Sequence, residues 1–254
     1  MKIYRFRHDG RIFYGVLKDK DLLLVEGSIF GGFTTGLRPV PIGEVTILPP
    51  VEPSKIVGVG RNYLEHSREL GHAVPAEPLL FLKPPTAVSG PNGQIVYPAA
   101  SLRLDYEGEL AVVIGKEAHG LAEDADPAAH ILGYTCINDV TARDLQSKDI
   151  QFTRSKSFDT FAPLGPCIAT GLDPADLAVK TFLNGKLRQS SSTRHLIFSV
   201  PFLVRFISRI MTLCPGDIIA TGTPAGVGPM EPGDRVDVQI EGIGTLSSTV
   251  VRGG

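Results

Sequence analysis

The stretch DYEGELAVVIG, Asp105 to Gly115, joins two opposed demands. Leu110–Ile114 is an unbroken apolar run and reads as a buried strand. Just before it, Asp105, Glu107 and Glu109 stand at every second position. On a strand, residues two apart share a face, so these carboxylates would point one way, with neighbours about 7 Å apart. The repulsion between two such neighbours is roughly 0.6 kcal/mol in water and about 2.4 kcal/mol at an effective dielectric of 20. On a solvated face that is harmless; inside a cleft it calls for a cation. Oxygen donors with no nearby His or Cys favour a hard ion such as Mg²⁺, Mn²⁺ or Ca²⁺ over zinc. Two glutamates are too few for a full shell, so a further ligand must come from elsewhere in the chain. From this stretch alone, a wet strand face is the competing reading.

Working outward, strand signals recur at Lys55–Gly60, Pro78–Lys83, Ile131–Asn138, Cys167–Thr170, Ala178–Leu183, Asp217–Thr221, Arg235–Ile240 and Thr245–Val251. Near the start, Tyr4 and Phe6, then Ile12, Tyr14 and Val16, then Leu22 and Leu24 suggest three short strands, with an Asp9-Gly10 turn between the first two. Only one segment has clear helical spacing. Phe202, Phe206, Ile210 and Leu203, Ile207, Met211 lie four apart, and LCPGD (213–217) is expected to end that helix. The pattern is mostly β with some α, not alternating βαβ. The proline-rich PVPIGEVTILPPVEPS (39–54) reads as a junction, dividing a small N-terminal β-rich domain (1–50) from a main domain (51–254).

The totals exclude several classes. A chain of 254 residues with 43% hydrophobic residues can bury a sizeable core, and 28 Gly and 20 Pro suit a turn-rich fold. A formal charge of −2 gives no basic excess for nucleic acid. No apolar run reaches the ~18 residues that a spanning helix needs, and MKIYRFRHDG has no signal-peptide core. Cys136, Cys167 and Cys214 form no CxxC pair and read as buried, reduced thiols of a cytoplasmic protein.

Four further stretches carry possible chemistry. In GYTCINDVTARDLQ (133–146), Asp139 ends a strand, where it could ligate a metal, cap the helical turn that follows, or do both. In RNYLEHSRELG (61–71), His66 and Glu69 share a helical face, an arrangement that can activate water; a plain surface helix would look the same. His8, His72, His119, His130 and His195 lack such a partner and read as structural. In RSKSFDTFAPLGP (154–166), Lys156 beside apolar residues is either a charge kept for an anion or a snorkelling surface lysine. GDIIATGTPAGVG (216–228) breaks from a strand into small residues, which would leave hydroxyl and N–H donors exposed to a ligand; a plain loop is the alternative. It lacks the lysine of a P-loop.

Taken together and in order, GRNYLEH, FLKPPTAVSG, DYEGELAVVIG, NDVTARDLQ, KSFDTFAPLGP and PGDIIATGTPAGVG resemble the fumarylacetoacetate hydrolase family. They cover most of residues 55–250, and residues 1–50 resemble the variable N-terminal part of its smaller members. The resemblance implies a mixed β-sandwich roll with a metal at its mouth. It implies a Mg²⁺ or Mn²⁺ site of Glu107, Glu109 and Asp139, with Asp105 behind it orienting a ligand or a metal-bound water. His66 and Glu69 would be the water-activating pair on a lid, Lys156 the lysine near the substrate, and Arg143, Gln146 and Thr223 substrate contacts. Arg61 and Tyr63 lie at the same lid entrance without an assigned role.

The implied substrates are small 2-oxo acids, either dicarboxylates or acylpyruvates. The implied reaction is C–C hydrolysis of a β-diketo acid through a metal-bound enolate. A 2-hydroxyhepta-2,4-diene-1,7-dioate isomerase and an oxaloacetate-type decarboxylase would use the same residues, and fold resemblance does not separate them. A homodimer working in aromatic catabolism is the family expectation. A non-catalytic, metal-stabilised binding protein is the alternative of another class.

Overall fold

The computed structural model describes residues 1–69, 71 and 73–253. His72 therefore lies outside the described residues. The architecture is mostly β. One long sheet runs through Gly32–Pro41, Asp21–Ser28, Arg11–Lys18, Lys2–His8, Ala162–Ala169, Ile131–Asn138, Gly108–Ile114, Ile218–Ala220, Ile56–Gly60 and Leu79–Lys83. A second sheet orders Lys186–Ser192, Ala178–Leu183, Arg235–Ile240, Gly244–Arg252 and Gly93–Tyr97. A third, of three short strands, holds Thr141–Ala142, Leu104–Tyr106 and Gly228–Met230.

The Gly108–Ile114 strand shows why an unbroken apolar run was needed. Leu110, Val112 and Ile114 join the core formed with Val179, Val238, Ile240 and Leu246 of the second sheet. Ala111 and Val113 join a separate core with Ile3, Ile56, Ile137 and Ile218. All five side chains are fully buried, so both faces of the strand are dry and no alternation survives in its sequence.

The three N-terminal strands and the turn between the first two are present, with Asp9 and Gly10 both at positive φ (48° and 74°). The Gly32–Pro41 strand, which carries no clean alternation, continues this meander. The meander joins the main sheet edge to edge, through Lys2 opposite Ala169 and Ile3 opposite Ile168. The proline-rich stretch contributes one short strand, Thr46–Ile47, that also pairs with Lys2–His8.

The long helix is shorter than expected. It covers Val200–Ser208, so Ile210 and Met211 lie beyond it and LCPGD does not terminate it. Leu203, Val204 and Ile207 face the core, while Phe202 stacks on Phe198 and Phe206 at the surface. Of the cysteines, Cys136 and Cys167 are buried as expected, but Cys214 is half-buried; all three are free. No helix among the described residues is long and apolar enough to cross a membrane.

Asp217 staples the start of the main body to this framework. Its fully buried Oδ1 accepts from the Ser54 N–H (3.1 Å), the Ser54 hydroxyl (2.6 Å) and the Lys55 N–H (3.2 Å). Its Oδ2 accepts from the Cys214 N–H (2.8 Å) and from the Lys55 ammonium. Asp217→Ala leaves all of these donors without their acceptor. It is expected to cost about 3 kcal/mol in urea unfolding, the lower range for a broken buried pair because Lys55 keeps some solvent contact. A loss below ~1 kcal/mol would show that water replaces the carboxylate at no cost.

Candidate active site

The acidic stretch is not one strand. Leu104–Tyr106 belongs to the three-stranded sheet and Gly108–Ile114 to the long sheet, with Glu107 at the break between them. The three carboxylates therefore do not stand on one continuous strand, contrary to the expectation from spacing, and Asp105 meets Glu107 through Arg143, which bonds both. The break is built in by glycine. A Cβ on Gly108 would lie 2.1 Å from the Thr181 hydroxyl, so no side chain fits there. The Gly108 N–H donates to the Gln189 side chain at 3.0 Å instead of to a neighbouring strand.

Antiparallel pairing brings the third carboxylate in. Gly108 lies opposite Asn138, the Asp139 N–H donates to the Glu107 carbonyl (2.8 Å), and the Glu107 N–H donates to the Asn138 side chain (2.9 Å). Glu107, Glu109 and Asp139 each offer an oxygen within 4.8 Å of the others, and all three are buried. Asp139 does not cap the following helix. That helix, Arg143–Lys148, has Ala142 at its N-cap, which offers no side-chain acceptor, and Asp139 lies three residues upstream with its carboxylate on two lysines.

These lysines, with Arg143, set the electrostatics. Lys83 donates to Asp139 Oδ1 (2.5 Å) and to the Val140 carbonyl (3.2 Å). Lys156 donates to Asp139 Oδ2 (2.5 Å) and Glu107 Oε2 (2.9 Å), and stands 4.9 Å from the centre of the Phe81 ring. Arg143 bonds Glu107 Oε1, Asp105 Oδ2 (2.9 Å) and Gln146 Oε1 (2.6 Å), while Arg103 binds Asp105 from the other side (2.9 and 3.1 Å). Asp105 thus anchors Arg143 and stays out of the triad.

Burial disfavours the Glu107 anion, but Lys156, Arg143 and then His66 overcome it and hold its carboxyl well below the usual range. Glu109 behaves oppositely. Burial first, then the charges of Asp139 and Glu107, push its carboxyl well above the usual range. None of the ion pairs among the described residues includes Glu109; its Oε2 accepts from the Gly222 N–H at 2.8 Å. The two lysines also part. Burial lowers Lys83 below an ordinary ammonium despite Asp139, whereas Lys156 is raised because two carboxylates outweigh its burial.

The residues singled out by sequence meet around one cavity of about 340 Å³, a volume that suits a small organic acid. His66, Glu107, Glu109, Asp139, Arg143, Gln146, Lys156 and Thr223 all line it, as does Arg61. Glu69 stands behind His66, its Oε2 3.3 Å from Nδ1, and the imidazole is almost fully buried. Tyr63 is buried and off the wall, held low in the segment where Asn62 ties Phe198 to Thr221.

Lys156 is not a snorkelling surface residue; it is 2% exposed. The TGTP hydroxyls are not left open as expected. Thr221 donates to the Leu110 carbonyl (2.9 Å) and Thr223 to the Gly108 carbonyl (3.0 Å), so both hydroxyl protons stitch the loop to the acidic strand.

Two further residues of the site, Lys83 and Gln189, carry little or no signal in the sequence. Lys83 was visible only as the lysine closing an apolar strand before two prolines, and that placement is its one signal. Gln189 has no signal at all, since it sits in a polar run on the second sheet. It is nevertheless fully buried, accepting from Gly108 and donating to the Thr223 hydroxyl (2.8 Å) and the Pro224 carbonyl (2.8 Å).

An all-oxygen triad whose members repel one another, with Glu109 in no ion pair among the described residues, fits a hard divalent ion. Comparison with known proteins agrees with the geometry. Residues 55–251 match the family model for the fumarylacetoacetate (FAA) hydrolase C-terminal region, and residues 1–50 match the Rv2993c-like N-terminal model. The oxaloacetate tautomerase of Bacillus subtilis is 44% identical over 225 residues, 82% of this chain and 74% of that protein. The crystal structure of 2-hydroxyhepta-2,4-diene-1,7-dioate isomerase from Mycobacterium marinum is 42% identical with a TM-score of 0.91, covering 100% of both chains. Maleylpyruvate hydrolase from Sphingobium sp. SYK-6, solved with manganese(II) and pyruvate, is 31% identical with a TM-score of 0.82, again over 100% of both.

Proposed function

The chain belongs to the fumarylacetoacetate hydrolase family and is an enzyme, and from that premise we propose that it hydrolyses a C–C bond in a small β-diketo 2-oxo acid of the acylpyruvate type. The observation that carries this reading is the His66–Glu69 pair on the wall of the same cavity as the Glu107, Glu109 and Asp139 triad. Glu107, Glu109 and Asp139 would hold Mg²⁺ or Mn²⁺. Such a cation supplies Lewis-acid stabilisation of negative charge that develops on the substrate's 2-oxo oxygen.

The chain's own groups do the rest. Glu69 takes the Nδ1 side of His66, which leaves Nε2 to remove a proton from water as its oxygen adds to the distal carbonyl. The C–C bond then breaks, giving a carboxylic acid, which releases its proton to solvent, and the enolate of pyruvate, whose C3 takes up the proton held on His66. Lys156 offsets the negative charge. Arg143 and Gln146, presented together by the Arg143–Lys148 helix, bind the substrate's oxygens; the Thr223 segment lines the opposite wall.

Proton transfer without water attack is the second reading, in which the chain is an isomerase or tautomerase. The identity to the tautomerase and isomerase, higher than to the hydrolase, favours it. We extend the proposal to the assembly. The Leu79–Lys83 strand ends the long sheet with Leu79 and Leu82 exposed, an open edge that a second copy would cover in a homodimer. Pyruvate release from a simple acylpyruvate, followed with Mg²⁺ and with EDTA, tests the reaction. Release that needs the metal is the expected result. No release, alongside metal-dependent enol–keto conversion of oxaloacetate, would replace the hydrolase reading with the second.

A further inference from the structure

We propose that Tyr106 is a positioning residue that sets the His66–Glu69 pair through the backbone of Gly226, so that docking the Leu64–Glu69 helix and aligning the imidazole are one event. The inference rests on the reading of His66 as the base. Tyr106 sits in sequence between two carboxylates of the site, yet its side chain turns away from them. It is 3% exposed, and its hydroxyl donates to the Gly226 carbonyl at 2.9 Å. The N–H of the same Gly226 donates to both oxygens of Glu69, at 3.1 and 3.2 Å. Glu69 in turn meets His66 Nδ1 at 3.3 Å.

Gly226 cannot be replaced in this chain of contacts. Its φ is +98°, and a Cβ there would lie 2.2 Å from the Arg188 carbonyl oxygen, so the peptide is pressed against the second sheet with no room for a side chain. The helix it receives has six residues, too few to hold itself together. Its placement is therefore decided at its ends. At the start, Tyr63 bridges to Leu196 and Asn62 grips Phe198 and Thr221. At the far end, among the described residues, Glu69 is held on Gly226. If the Tyr106 hydroxyl is lost, the Gly226 carbonyl loses its partner among the described residues and its peptide can turn. The two-oxygen grip on Glu69 then loosens, and His66 loses its orientation while the metal triad keeps its own contacts.

Tyr106→Phe keeps the ring packed against Leu104 and Met230 and deletes only the hydroxyl. In the full-length, Mg²⁺-loaded protein, hydrogen exchange of amides 64–69 is expected to quicken roughly fivefold, about what one hydrogen bond of ordinary net strength protects. Pyruvate release should show kcat down by a similar factor with KM and metal affinity unchanged. Glu69→Ala should quicken the same amides, and the double variant should be no faster than Glu69→Ala alone, because both act on one contact. Unchanged exchange in Tyr106→Phe, additive effects in the double variant, or a fall in metal affinity matching the fall in kcat would each overturn the proposal. The exchange measurement does not depend on the substrate, so it decides about Tyr106 even if the hydrolase reading fails.

Discussion

Glu109→Gln is expected to weaken Mg²⁺ or Mn²⁺ binding by at least about 100-fold, the upper end of the effect of losing a mere outer partner, while making the metal-free protein more stable. Asp139→Ala should lose the metal as well, but at a cost of about 3–5 kcal/mol in stability. The contrast follows from what faces each carboxylate. Asp139 is bracketed by Lys83 and Lys156, both buried; its removal strands the Lys83 ammonium and leaves Lys156 only Glu107. Glu109 has no ion pair among the described residues and is pushed up by burial and by its acidic neighbours.

A carboxyl raised in this way makes the folded protein hold a proton that the unfolded chain has released. Stability of the metal-free wild type therefore falls as pH climbs from the ordinary glutamate range through the raised value. The amide of Glu109→Gln mimics the protonated acid and removes that slope. At pH 8 the variant should be more stable than the metal-free wild type by on the order of 1–3 kcal/mol, the usual penalty of an unsatisfied buried group. Chemical unfolding at pH 6 and pH 8, in EDTA and in excess Mg²⁺, checks this. A metal-free Glu109→Gln that is less stable than wild type at pH 8 would show that the triad is not under repulsion.

His66→Ala is the second large effect. It should lower kcat for pyruvate release by on the order of 10²- to 10⁴-fold, the range for losing a positioned general base. Metal affinity by titration calorimetry should stay within a few-fold, because among the described residues the imidazole's hydrogen-bond partner is Glu69 and not a triad carboxylate. Turnover within a few-fold of wild type would remove His66 from the chemistry and leave proton transfer to Lys156 or to water. Loss of metal binding would instead put His66 in the metal's shell.

Much of the strand order was legible because burial writes itself into composition. Ile131–Asn138, Ala178–Leu183 and Arg235–Ile240 are found with the bounds that apolar patterning suggests. The edges were less legible. Gly32–Pro41 and Lys186–Ser192 are partly exposed strands whose polar residues leave no period to read. The helix of 200–208 ends before Ile210 and Met211, whose four-residue spacing runs on into a turn where Ile210 is exposed and Met211 half-buried, so the period overstated the helix. The single acidic face failed for a local reason. Alternation assumes one continuous pleat, and at Gly108 the chain leaves one sheet for another.

By itself the sequence determined which residue types could do the chemistry: three carboxylates with no soft ligand nearby, a histidine three residues before a glutamate, and a lysine in apolar company. Those properties belong to side chains and to spacings within one turn or one strand, so they survive without a fold. Only the tertiary structure decided which charges face each other. It set Lys83 and Lys156 on Asp139, gave Glu109 no ion pair among the described residues, turned Asp105 toward two arginines, and brought Gln189 from a distant strand and Gly226 from a loop to the acidic strand and the Leu64–Glu69 helix. Such pairings depend on register between strands far apart in the chain and on burial that strengthens every Coulomb interaction once water is excluded. Neither quantity is a property of any short stretch.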